Sequence, residues 1–154
     1  MKIDYLLLAD AVAAADGKHY IHGGGWDTLY VPTLPFTHPQ LSIAARLRVP
    51  STDTNMPHSI GLDVVAADGN SILANPVQAS ISVERPPNIP PTHDQVIPLA
   101  LNIVALAIPR PGTYSLIFMI DGEQVEAAQF HVQRAPAQAQ PQGMPPMPPN
   151  QKSN

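Results

Sequence analysis

The densest grouping of residues able to do chemistry is His22-Gly23-Gly24-Gly25-Trp26-Asp27, with His19 just before it. Imidazole and carboxylate groups stand around three glycines, whose missing side chains let a ligand approach the backbone closely. The chain has six histidines and no cysteine, so any metal site would need imidazole and carboxylate ligands. His19 and His22 are three apart, and an odd separation on a strand places them on opposite faces. They converge only if the glycines bend that strand. His38, His58 and His93 fall at loops or strand starts, and Asp27 could add a carboxylate to them. No pair of these residues has the spacing of a metal-binding motif. One reading is therefore a ligand site built from His19, His22, Trp26, Asp27 and His58. The favoured reading is plainer: hydrogen-bonded or surface histidines, with Trp26 as a large core or rim residue. No metal and no cofactor is expected, and no catalytic residue is assigned.

His-Gly-Gly-Gly is also similar to the oxyanion-hole motif of lipases and esterases, whose backbone amides hold a developing negative charge. That chemistry needs a nucleophile on a Gly-x-Ser-x-Gly turn, which this chain lacks. It also needs alternating strands and helices, and the pattern here is of another kind. An enzyme is not expected.

The elements that would position these residues read as strands. Tyr114, Leu116, Phe118 and Ile120 alternate along one run, and Phe130 and Val132 do so along a second. Asp121-Gly122 between the runs is a strong hairpin signal. Asp-Gly recurs at Asp16-Gly17 and Asp68-Gly69. The first should join a strand over Ile3–Ala15 to another over Lys18–Val31. Leu41, Ile43, Ala45, Leu47 and Val49 mark one face of a half-buried strand. Ile60, Leu62 and Val64 mark another. Ser71–Glu84 carries apolar positions broken by Asn75-Pro76, and Gln95–Ile108 alternates through Val96, Pro98 or Leu99, Leu101, Ile103 and Ala105. About eight strands emerge. The expected fold is a single all-β sandwich, immunoglobulin-like or jelly-roll-like, over residues 1–134.

Composition narrows the classes of function. Prolines number 19 and cluster at 32–39, at 86–98 and in the last twenty residues, marking loops, edges and a tail. From residue 135 to 154 the chain is rich in Pro, Gln and Met, and a disordered tail is expected there. Its Met144–Pro149 stretch favours extended polyproline II. Net charge is −4, and the eight Lys and Arg are scattered along the sequence. That argues against nucleic acid and against an anionic membrane as partners. The apolar run near Met1 is too short for a secretory signal, and no stretch is long enough to span a bilayer as a helix. With the absence of cysteine, this fits a cytoplasmic protein.

Several segments together carry a family resemblance. They are Met1-Lys2-Ile3-Asp4-Tyr5-Leu6-Leu7-Leu8-Ala9-Asp10-Ala11, Asp16-Gly17-Lys18, Gly23-Gly24-Gly25-Trp26-Asp27, Asn55-Met56-Pro57-His58, Arg85-Pro86-Pro87 and the terminal hairpin. The chain resembles, over about residues 1–133, a family of small uncharacterised bacterial proteins known as a domain of unknown function. The resemblance implies a compact bacterial domain and supports a strand at Ile3–Ala15. It implies no activity, cofactor or site residue.

The expected function is a non-enzymatic binding or structural module that acts through contacts with a protein partner or a second copy. The alternative is a ligand- or metal-binding sandwich, even a small enzyme, centred on residues 19–27.

Overall fold

The computed structural model describes residues 1–136, and all but the first two residues of the expected tail lie outside them. Nine strands are found among the described residues: β1 (Lys2–Ala15), β2 (Lys18–Gly24), β3 (Thr28–Val31), β4 (Phe36–Val49), β5 (Pro57–Ala66), β6 (Val77–Ser82), β7 (Gln95–Ile108), β8 (Gly112–Ile120) and β9 (Glu123–Arg134). There is no α-helix among those residues, and hence none long and apolar enough to cross a membrane. The strands form two sheets, ordered β2-β1-β4-β7 and β3-β9-β8-β5-β6. All neighbours are antiparallel except β3 and β9, which run parallel.

Two hairpins follow from local chemistry. Asp121 and Gly122 have φ of 51° and 83°, and Asp16 and Gly17 have φ of 52° and 70°. Positive φ at both central positions is the type I′ geometry whose twist matches flanking strands. The first turn joins β8 to β9 and the second joins β1 to β2.

Alternation sets the core. Tyr114, Leu116, Phe118 and Ile120 of β8 all point inward, as do Phe130 and Val132 of β9. Leu41, Ile43, Ala45, Leu47 and Val49 of β4 meet them from the other sheet in one apolar cluster. Tyr114 stacks on Phe130 with ring centroids 5.6 Å apart, and its hydroxyl donates to the Arg110 carbonyl at 2.7 Å. That bond satisfies the polar end of a buried ring.

The structure departs from the sequence reading at three places. The expected strand Lys18–Val31 is two strands, because the chain leaves the first sheet at Gly25 and enters the second as β3. Gly25, with φ of 83°, donates its N–H to the Leu8 carbonyl at 2.8 Å as it does so. Pro39, expected in a loop, lies within β4, while Pro98 sits in the edge strand β7. Val96 and Pro98 face away from the core, since the core positions of β7 are the odd-numbered Ile97, Leu99, Leu101 and Ile103. At Ala105, φ is 54° and the alternation breaks, so Leu106 and Ile108 are the next buried residues.

The middle of the outer face of β4 is also buried. Ser42 and Ala44 are 0 % exposed. The β1–β2 hairpin forms an arm that coils back over them. Ser42 Oγ lies 2.7 Å from Asn102 Oδ1 and 3.2 Å from the Asp10 carbonyl, and it accepts from Gln40 Nε2 at 2.9 Å. These bonds satisfy the polar groups trapped beneath the arm.

Candidate functional site

The five residues singled out from the sequence fall into three separate settings. His19 is a fastener. Its Nε2 lies 3.0 Å from the Leu99 carbonyl, which can only accept, so Nε2 carries the proton. Nδ1 then accepts from the Tyr5 hydroxyl at 2.7 Å. Both ring nitrogens are thus used in tying the arm to β1 and β7. His22, opposite Ala11 on the same arm, is exposed.

Trp26 and Asp27 form the crossing between the sheets. The Trp26 ring meets Phe130 edge-on at 6.3 Å. The Asp27 carbonyl accepts from the His131 N–H at 2.7 Å, and its carboxylate accepts from the Thr28 hydroxyl at 2.9 Å. Packing and strand entry account for where both residues sit, and the buried Trp26 Nε1 has no hydrogen-bond partner among the described residues.

His58 is at the far end of the second sheet. Phe130 pairs with Tyr114, and Tyr114 with Ala66, the last residue of β5. His58 is eight residues back along β5, about 27 Å at the usual strand rise. It belongs to a different cluster. Its Nδ1 is 2.7 Å from Asp121 Oδ2 and its Nε2 is 3.0 Å from the Asp53 carbonyl. Both nitrogens face obligate acceptors, so the geometry calls for the doubly protonated imidazolium. The Asp121 carboxylate raises the His58 pKa, and His58 in turn lowers that of Asp121. The other Asp121 oxygen accepts from the Ser59 N–H at 2.8 Å. The α-ammonium of Met1 lies 2.5 Å from Asp53 and holds that carboxyl below its usual range.

His131 meets Asp27 only through its backbone N–H, and its ring lies 3.0 Å from the Thr113 hydroxyl. His38 lies beside the Phe36 ring, and burial lowers its pKa. The His93 carbonyl accepts from Arg85, which also binds the Pro90 carbonyl and so holds the Pro-rich connection. Among the described residues no three His, Cys, Asp or Glu side chains are placed to hold a metal.

A different feature stands out once the sheets are built. β7 pairs with β4 on one side and lies at the edge of its sheet. Its 14 residues include no charged side chain. The Gly25 N–H bonds to the Leu8 carbonyl, so Leu8 turns its backbone groups toward β2, and its partner Ile43 turns its own toward β7. In an antiparallel ladder this direction alternates from residue to residue. Leu101 and Ile103, opposite Ile43 and Leu41, therefore bond to β4, while Ala100, Asn102 and Val104 direct their N–H and C=O groups to the open edge. Among the described residues no hydrogen bond is made to those groups from that side. A groove of about 410 Å³ runs beside them, walled by Ile72, Leu73 and Val77 and by β7 itself. β6, the facing edge of the second sheet, is also free of charged residues. The sequence signal for this edge is the uncharged run Gln95–Ile108.

The model of a protein family described as "Family of unknown function (DUF6941)" matches residues 4–133. The chain belongs to this family. No curated protein matches it. Among solved structures it is similar to Pseudomonas fluorescens alkylpurine DNA glycosylase AlkC bound to DNA containing an abasic site analog, at 15 % identity and a TM-score of 0.41. That similarity covers 87 % of this chain and 30 % of the glycosylase chain.

Proposed function

We propose that this DUF6941 domain is a non-enzymatic, cytoplasmic bacterial binding module that recruits an extended segment of a partner protein alongside β7. The observation that carries the reading is the uncharged edge with outward backbone groups at Ala100, Asn102 and Val104. Natural edge strands usually carry Lys, Pro or a bulge that discourages pairing. β7 has Pro98 in its first half and the break at Ala105 at its far end. The segment between is open. A strand added there gains main-chain hydrogen bonds, and the Ile72, Leu73 and Val77 wall offers its side chains an apolar surface. The partner segment is therefore extended and largely apolar. The sandwich is proposed to be of the immunoglobulin-like kind, which the bond from Tyr114 back to Arg110 favours over a jelly roll.

Val104 provides the test. It is 71 % exposed on the open part of β7, so Val104→Lys adds a charge to the edge without emptying the core. Light scattering on the purified protein first establishes whether it self-associates. Cross-linking and affinity capture from its own cells are then compared for wild type and Val104→Lys. A partner cross-linked beside β7 and lost in the variant, with an unchanged melting temperature, supports the reading. A partner retained equally by the variant, or a strict monomer that captures nothing, contradicts it.

A further inference from the structure

Four of the eight Lys and Arg, distant in sequence, are brought to one side of the first sheet. Lys2 lies opposite Arg48, and Tyr5 lies opposite Arg46, in the β1–β4 ladder. The coiled arm then carries Lys18 over the same surface. Between arm and sheet is a cleft of about 290 Å³ lined by Tyr5, Lys18, His19, Arg46, Val96 and Pro98.

The charges in this region are not all spent on one another. Arg48 takes both oxygens of Asp4, with Nε at 2.9 Å and Nη2 at 2.7 Å. This fork-to-fork pairing is the strong mode of arginine–carboxylate contact. It lowers the Asp4 pKa and raises that of Arg48, to which Asp94 also contributes. Arg46 comes to the same carboxylate second, through Nε at 3.6 Å. Its two terminal nitrogens have no hydrogen-bond partner among the described residues, and its side chain is 42 % exposed. Lys18 makes no ion pair among those residues either. The cleft thus presents one guanidinium fork and one ammonium on its polar side. Val96 and Pro98 supply an apolar wall opposite.

We propose that this cleft is a binding site for a small organic oxyanion, a carboxylate or phosphate monoester carrying a short apolar body. The Arg46 fork matches two oxygens of such a group, and Lys18 adds a point charge. The body rests on Val96 and Pro98. The volume sets the size, since it lies at the lower limit of ordinary ligand pockets. The His19 bonds to Tyr5 and Leu99 hold the arm, and with it Lys18, over the sheet. The site rests on the arm, on Arg46 and on the outer face of Val96 and Pro98, apart from the open stretch of β7 at 100–104.

The test is a titration of the full chain followed by ¹H–¹⁵N NMR, with phenyl phosphate, benzoate and inorganic phosphate as probes and sodium chloride at matched ionic strength. Saturable shifts confined to Lys18, His19, Arg46 and Val96 are expected with phenyl phosphate or benzoate, and weaker ones with inorganic phosphate. Whichever organic probe saturates first identifies the oxyanion class. Arg46→Gln should weaken binding at least about tenfold, the scale of one charge-assisted bond. Lys18→Gln, at an exposed turn, should weaken it less and leaves the fold intact. Shifts that do not saturate by about 10 mM, the range of weak millimolar binding, overturn the proposal. So do shifts that chloride reproduces, or shifts that persist in a folded Arg46→Gln.

Discussion

The Tyr5 hydroxyl lies 2.7 Å from Nδ1 of His19, although His19 pairs with Ala14, nine residues further along the same strand. A straight strand would separate Tyr5 from Ala14 by about 30 Å. The contact therefore measures how far β1 coils, and it closes the arm over β4. Ser42 and Ala44 are buried as a result, and the cleft at Arg46 has its second wall.

Tyr5→Phe should loosen that arm. The substitution removes the donor to Nδ1 and leaves the ring and its packing. A cost of about 0.5–1.5 kcal/mol is expected for the lost hydrogen bond. Amide exchange should accelerate over Val12–His22 and stay unchanged in β8. Uniform acceleration across both sheets would show that the contact supports the whole fold and not the arm alone.

His58 should give the domain a pH-dependent contribution. Its pKa is raised by Asp121, so the stability it adds is complete below about pH 6.5 and is lost as pH rises through the raised value. The lowered Asp121 pKa works at the other limit, its contribution being present above about pH 4 and lost as pH falls through the lowered value. Between those limits the pair is fully formed. His58→Gln should therefore destabilise more at pH 5.5 than at pH 8.5 in urea melts. A stability gap that does not change with pH would contradict the charged pairing.

Gly122→Val should cost about 1–3 kcal/mol, because φ there is 83° and a β-branched residue resists that region. A Cβ at this position would meet no atom within 4 Å, so the cost is chiefly backbone strain. Gly122→Asn, which tolerates the left-handed region, should cost much less. Equal losses for both variants in a denaturant titration would contradict the turn assignment.

Alternation and Asp-Gly turns made the hairpins and the inward faces of β4, β8 and β9 readable in the residues themselves. Those signals are local. What could not be read depends on contacts between distant segments. Ser42 and Ala44 read as outward positions, and only the coiling arm buries them. Lys2, Lys18, Arg46 and Arg48 read as scattered, and strand pairing gathers them. Three glycines announced an irregularity after His22, yet a change of sheet and a bend look alike at that range. The histidines carried little information because imidazole serves equally as fastener, ion-pair partner or surface group. The uncharged run in β7 was visible, but whether it formed an edge or a central strand depended on sheet order.

Residue-resolved amide exchange along β7, with and without the captured partner, tests the central claim most directly. In the free protein, Ala100 and Asn102 should exchange faster than Leu101 and Ile103, which lie opposite Ile43 and Leu41 and bond to β4. Adding the partner should slow Ala100 and Asn102 while leaving the other two unchanged. If Ala100 and Asn102 are already protected in the free monomer, or stay fast in the complex, the edge of β7 is not where this protein binds.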